Sequence, residues 1–308
     1  MRLIDAHAHL VPADYRAELA RRDLLTIEPA WDLETTYGFM DRHGIDAAVL
    51  SLAPPGVAFG DDGLARDLSR MVNEHIASVV ASDAGRFAGL AVLPLPDVDA
   101  AIEEAAYALD VLGLDGVRLL SNVGGIYPGD EAWAPLFDAL DARGAYVFLH
   151  PTSPAAPLAL PDHPEWLYEF PFDTTRAVAN LVYSGTLERC PNLRLQVAHL
   201  GGAVPFLADR LASLADREPA RARQAPAGLH GYLGRLFFDT GLSNTAAPVA
   251  AARAVAPFRQ LVFGTDWPYA ALPEHGDPAP GLAAMDEDER RALMGDHIGA
   301  LIPRLVEN

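Results

Sequence analysis

The sequence predicts an α/β fold of the (β/α)8 or TIM-barrel class, eight parallel strands closed into a barrel with helices outside. Three observations carry that prediction: eight short apolar or β-branched segments, helical patterns between them, and a length of 308 residues, which suits one such barrel. No internal repeat or low-complexity linker breaks the pattern, so residues 1–308 are read as a single domain.

The strand candidates run in order as "RLIDAH" (2–7), "DAAVLSL" (46–52), "FAGLAVL" (87–93), "GVRLL" (116–120), "AYVFLH" (145–150), "RLQVAH" (194–199), "RLFFDT" (235–240) and "QLVFGTD" (260–266). Between them, "LARDLSRMVNEHIASVVASD" (64–83) places Leu64, Leu68, Met71, Val72 and Ile76 on one helical face, and "AAIEEAAYALDVLG" (100–113) carries a similar stripe. Helices of this kind form the outer ring of a barrel. Residues 10–37, 53–63 and 151–172, the last rich in proline, are too long for simple turns and show no clear periodicity. Each follows a strand candidate, which puts all three on the C-terminal face where barrel enzymes keep their active sites.

Composition narrows the function. A net charge of −19 leaves no basic stripe to displace counterions, so nucleic acid is not expected as a partner. No apolar run approaches the length of a membrane span, and a candidate metal ligand at position 7 leaves no room for a signal peptide ahead of it, so a cytoplasmic protein without membrane contact is expected. The single cysteine, Cys190, allows no internal disulfide and no cysteine-based zinc site. All 23 basic residues are arginine, which removes Schiff-base chemistry, a P-loop and a carbamylated-lysine metal bridge.

His7 and His9 stand two apart, so they share one side of a strand and can converge on one ion if the first strand extends through both. The competing reading is a polar strand end. The other strand ends favour the metal: His150 closes the fifth candidate, His199 the sixth and Asp266 the eighth, and a barrel gathers these ends around one opening. Four imidazoles and a carboxylate suit a divalent transition metal, most simply zinc or manganese. His43, His75, His163, His230 and His297 lie in helix-like or loop contexts and are assigned nothing, except that His163 could reach the site if its loop folds over.

The order of these residues, together with "GVRLLSNVGGIY", "FPFDTTRAVANLVYSGTLERCPNLRLQVAHLGG" and "FGTDWPY", resembles the amidohydrolase superfamily over nearly the whole chain. More narrowly it is similar to the metal-dependent non-oxidative decarboxylases that include the aminocarboxymuconate semialdehyde, γ-resorcylate and 6-methylsalicylate enzymes. The resemblance implies one divalent ion, zinc first and manganese second, bound by His7, His9, His150 and Asp266, with His199 beside it as acid/base. It leaves open whether Asp266 only binds metal or also protonates the substrate carbon. A homodimer is implied in the same way. The absence of lysine in "GVRLLSNVGG" agrees with a mononuclear site.

The predicted activity is therefore carbon–carbon lysis of a small aromatic or unsaturated carboxylic acid, in the setting of aromatic-compound catabolism. Such a reaction needs a proton delivered to the carbon that bears the carboxylate, and an imidazole that titrates near neutrality is suited to carry it. Two departures from the resembling enzymes shape the substrate expectation. His7 and Gly202 stand where the γ-resorcylate type has glutamates. In "WDLETTYGFMDRHG", Thr36 and Gly38 stand where the muconate type has arginine, and the first basic residue is Arg42. A salicylate-like acid is favoured over a carboxymuconate semialdehyde. The alternative is a metal-dependent hydrolase, lactonase or hydratase acting on a ring-cleavage intermediate.

Substrate-contact candidates are Arg118 at the end of the fourth strand, Asn122 in the loop after it, Phe172 and Arg176 opening the helix after the long loop, and Trp267 and Tyr269 flanking Asp266. Each has a structural competitor: an ion pair for Arg118, a turn for Asn122, and packing for the aromatics.

Overall fold

The computed structural model describes residues 2–24, 31–156, 160, 162–270 and 272–306. Eight parallel strands follow one another in chain order: β1 (Ile4–Leu10), β2 (Ala47–Leu52), β3 (Phe87–Val92), β4 (Gly116–Leu120), β5 (Tyr146–His150), β6 (Arg194–Val197), β7 (Phe237–Asp239) and β8 (Leu261–Val262). The barrel closes between its last and first strands. Ala6 N donates to Phe263 O at 2.8 Å, Asp266 N to His7 O at 2.8 Å and His9 N to Trp267 O at 2.7 Å.

Alternation along the strands sorts side chains into an interior and an outer layer. Ile4, Val49, Leu90, Tyr146, Phe148 and Val262 fill the inside, joined by Ile298, Leu301, Ile302 and Leu305 of the C-terminal segment. That segment covers the N-terminal end of the barrel: Arg304 pairs with Asp115 just before β4, and Arg194 at the start of β6 donates to Leu301 O. The opposite end is left for the site.

The outer helices form where sequence and caps agree. α2 (Leu33–His43) starts at Asp32, whose carboxylate accepts from Thr35 N, and stops at Gly44 in the left-handed region. α3 (Asp62–Ser82) starts at Asp61, which accepts from Leu64 N, and buries Leu64, Leu68, Val72, Ile76 and Val79 along one stripe.

Several elements differ from the sequence reading. Residues 10–37 are not one loop: they hold α1 (Ala13–Arg21) and the start of α2. Only Tyr15 and Leu19 of α1 are buried, a stripe of one i,i+4 pair, too thin to register as periodicity. The helix expected over 100–113 is α4 (Val98–Ala106) followed by a π-helical turn, Tyr107–Val111. Of 151–172, residues 157–159 and 161 lie outside the described residues, as do 25–30 of the first segment; α6 (Glu169–Tyr183) begins before Phe172. β6 ends two residues before His199, which adopts φ +54° in a short turn. β8 is two residues long because the chain after it leaves the ladder, and Asp5 grips Thr265 through its amide at 2.9 Å and its hydroxyl at 2.5 Å.

Close approach of backbones makes Gly116 a fold determinant: a Cβ there would lie 2.3 Å from the carbonyl oxygen of Tyr146 on β5. Gly116→Ala is expected to destabilise the barrel by about 1–3 kcal/mol, read as a lower urea midpoint. An unchanged midpoint would show that β4 and β5 separate freely.

Candidate metal centre and active site

β1 runs through both of its histidines, so His7 and His9 project into the mouth together. Their Nε2 atoms lie 3.1 Å apart, and each is 3.0 Å from Asp266 Oδ1. His150, from the end of β5, brings its Nε2 to 3.8 Å from the same oxygen. One ligand atom from each of His7, His9, His150 and Asp266 lies within 4.8 Å of the others, and all four residues are buried. Asp266 reaches this place with φ +69°, its amide tied to His7 O.

The far side of each ring explains why the Nε2 atoms point inward as lone pairs. His7 Nδ1 donates to Asp239 Oδ1 at 3.0 Å, and His150 Nδ1 donates to Pro151 O at 2.7 Å. A carboxylate and a carbonyl can only accept, so Nδ1 carries a proton in both rings and Nε2 is the nitrogen that a metal would take. His9 Nδ1 meets Ser51 Oγ at 3.2 Å. His150 Nε2 is buried with no hydrogen-bond partner, as befits an atom whose partner is a metal. Three imidazole nitrogens and one carboxylate oxygen match the donor set of a divalent transition ion, so the residues present fit the metal they were expected to hold.

His199 stands beside this set, its ring centroid 5.0 Å from that of His7 and 5.6 Å from that of His150. Its Nδ1 donates to Gly241 O at 2.8 Å, which commits that nitrogen and leaves Nε2 available to other partners. The left-handed turn at His199 and Leu200 aims the ring there.

Charges in the cluster are interdependent. Burial disfavours a charged His7, but Asp239 and Asp266 outweigh it and carry that imidazole up to about 10. Burial wins at His9, which falls to about 4, and at His150, which is held well below the usual imidazole range. Burial pushes Asp266 up, yet the three imidazoles overcome this and hold it well below the usual carboxylate range.

Three supporting side chains and two glycines escaped the sequence reading. Asp239 closes β7 and collects His7 Nδ1, His199 N, Gly241 N and Gln196 Nε2. Ser51 orients His9. Asp5 accepts from Thr265 and from His7 N, fixing the segment that carries Asp266; burial raises its pKa to about 7. The signal for Asp239 was present, an acid at a strand's C-terminal end like His150 and Asp266. Gly241 and Gly264 matter by what they lack: a Cβ would lie 2.8 Å from His7 Nδ1 at the first and 2.7 Å from His7 Cβ at the second.

The substrate candidates divide. Arg118 lies inside the mouth, and Tyr269 has its ring 5.8 Å from that of His9. Trp267 instead stacks on Phe39 with centroids 4.0 Å apart. Asn122 donates to Asp173 and Ser153 O and accepts from Gly125 N, holding its loop, while Arg176 pairs with Asp173. Phe172 is exposed, and so is His163, which stacks near Tyr168 and does not join the cluster.

The chain is similar to known proteins over nearly its whole length. The family model described as amidohydrolase matches residues 4–296. The decarboxylase yanB of Aspergillus niger is 31% identical over 98% of this chain and 87% of its own length. The 6-methylsalicylic acid decarboxylase of Penicillium expansum is 30% identical over 88% of this chain and 86% of its own. Among solved structures, a dihydroxybenzoic acid decarboxylase from Polaromonas with bound manganese and 2-nitroresorcinol superposes with a TM-score of 0.83 at 21% identity, covering 98% of this chain and 97% of that one.

Because His7 holds a proton up to about pH 10 and the metal needs its lone pair, binding must expel that proton. Metal affinity is expected to rise roughly tenfold per pH unit between about pH 7 and 9, with one proton released per ion. Calorimetric titration in buffers of different ionisation enthalpy checks this; an affinity independent of pH and buffer would contradict it.

Proposed function

The chain belongs to the amidohydrolase family, and from that premise we propose that it is a metal-dependent non-oxidative decarboxylase of a small aromatic carboxylic acid, salicylate-like in preference to a carboxymuconate semialdehyde. One observation carries the reading: the four-residue set of buried donors, His7, His9, His150 and Asp266, with His199 at its side. Zinc is the ion we assign, with manganese second, since both accept this donor set.

A divalent ion held there supplies Lewis acidity that anchors and polarises an acidic substrate. The chain's own residues do the rest. Asp266, kept ionised by the imidazoles around it, serves as a ligand in this reading. His199, its Nδ1 committed to Gly241 O, exchanges a proton at Nε2. The ring carbon that bears the carboxylate gains a proton, its bond to the carboxylate breaks with the electron pair returning to the ring, and CO2 leaves. Tyr269 borders the ring's position beside His9.

A cytoplasmic homodimer completes the reading. The dimer rests on the family resemblance, and among the described residues no helix is long and apolar enough to cross a membrane.

Metal-loaded protein is expected to release CO2 from at least one member of a panel of salicylates, resorcylates and carboxyvanillate, and His199→Ala to keep its metal while losing roughly 10²- to 10⁴-fold in turnover. Lactone opening or hydration without CO2 would replace the decarboxylase with a hydrolase or hydratase, and a near-normal rate in the variant would remove His199 from the chemistry.

A further inference from the structure

We infer that the Nε–Nη2 edge of Arg118 is the docking fork for a carboxylate of the substrate, set inside the mouth beside the metal ligands. The fork comes from the geometry; that the carboxylate belongs to an aromatic acid rests on the decarboxylase reading.

Arg118 sits on β4 between Val92 of β3 and Phe148 of β5, in the row of side chains that fills the barrel. Phe148 marks the level, since its ring lies 4.8 Å from that of His7. The arginine is 2% exposed, and both Nε and Nη2 are buried with no hydrogen-bond partner. No carboxylate among the described residues pairs with it. Its nearest polar company includes Tyr15 and Tyr269, phenols that are neutral at ordinary pH, and its charge is felt at His9 and His150.

The same edge of guanidinium is filled elsewhere in this chain. Arg304 places Nε and Nη2 at 2.7 and 2.6 Å from the two oxygens of Asp115, and Arg70 brings the same pair to 3.1 and 2.9 Å from the single oxygen Oε2 of Glu104. A planar fork of parallel N–H donors is shaped for such bidentate contact. In Arg118 the fork is present, charged and buried, and no partner for it lies among the described residues. Leaving a cation so placed without a partner is costly, which is expected where the partner arrives as ligand.

The surroundings describe the rest of that ligand. The cleft that Arg118 lines is otherwise apolar, formed by Val57, Val92, Leu93, Leu95 and Leu120 with Gly56 at its edge. A Cβ at Gly56 would lie 3.2 Å from Leu120 Cδ1 and 3.5 Å from Arg118 Nη1, so the glycine keeps the slot open. Apolar walls around one cationic fork suit the carboxylate end of an otherwise apolar acid, in a slot whose free space of about 20 Å³ has room for a small polar group and not for the ring.

The test uses the manganese-loaded full chain, its Arg118→Met and Arg118→Lys variants, and three ring probes without the activating hydroxyl: benzoate, isophthalate and the neutral benzamide. Calorimetric affinities, metal content and urea midpoints are measured. Arg118→Met is expected to weaken acid binding roughly 10- to 100-fold, to leave benzamide binding and metal content unchanged, and to unfold at a midpoint equal to or above that of the parent. Arg118→Lys, a point charge without the fork, is expected to recover only part of the affinity.

Loss for both acids alike assigns the fork to the carboxylate common to them. Loss confined to the advantage of isophthalate over benzoate assigns it to a second carboxylate, one that survives the reaction. Unchanged acid affinity overturns the inference, as does a parent protein that binds neither acid, or a variant whose midpoint and metal content fall with its affinity. Because binding is read without turnover, a fork confirmed in a protein that releases no CO2 would sink the decarboxylase reading alone, and CO2 release with unchanged acid affinity would sink the fork alone.

Discussion

The hydrogen bond from His7 Nδ1 to Asp239 is the contact on which the site depends. It fixes the tautomer that turns Nε2 inward, and it does so with a carboxylate that also holds the amides of His199 and Gly241 and the side chain of Gln196. One buried acid at the end of β7 therefore positions His7 on β1 and the turn that carries His199 after β6. Four buried donors aimed at one point repel one another unless a cation lies among them, and the supporting shell exists to hold them there against that repulsion. The unusual backbone at His199, Leu200 and Asp266 and the bare Cα atoms of Gly241 and Gly264 are consequences of the same crowding.

Fold and site share parts. The segment after β8 leaves the sheet early, is gripped by Asp5, closes the barrel through hydrogen bonds to β1 and delivers Asp266 to the histidines. The strand that starts the barrel thus carries two ligands and anchors the third element that supplies another. At the opposite end, the C-terminal segment covers the barrel floor. Arg118 stands out near the mouth because its charge meets no carboxylate among the described residues.

Much of this was legible in the sequence. Alternation put His7 and His9 on one side of a strand, and the barrel pattern placed His150, His199 and Asp266 at neighbouring strand ends, so the donor set emerged without knowledge of a single distance. What stayed hidden acts through remote partners: Asp239 is 232 residues from His7, and Asp5 is 260 from Thr265. Asn122 and Arg176 looked like substrate contacts because of their place after strand ends. Asp173, a buried acid on α6 that accepts from both, and from Ser121 and Tyr127, draws them into the scaffold instead. The short helix α1 was missed because a two-residue apolar stripe carries too little periodicity to be read.

The central claim is one ion held by four named atoms. Anomalous diffraction from crystals of the metal-loaded protein, recorded on either side of the zinc and manganese absorption edges, tests it directly. The account predicts a single peak bonded to Nε2 of His7, His9 and His150 and to Asp266, at roughly 2.0–2.2 Å. Two peaks, or one peak bound through Asp239 and His199 with His150 left free, would contradict it.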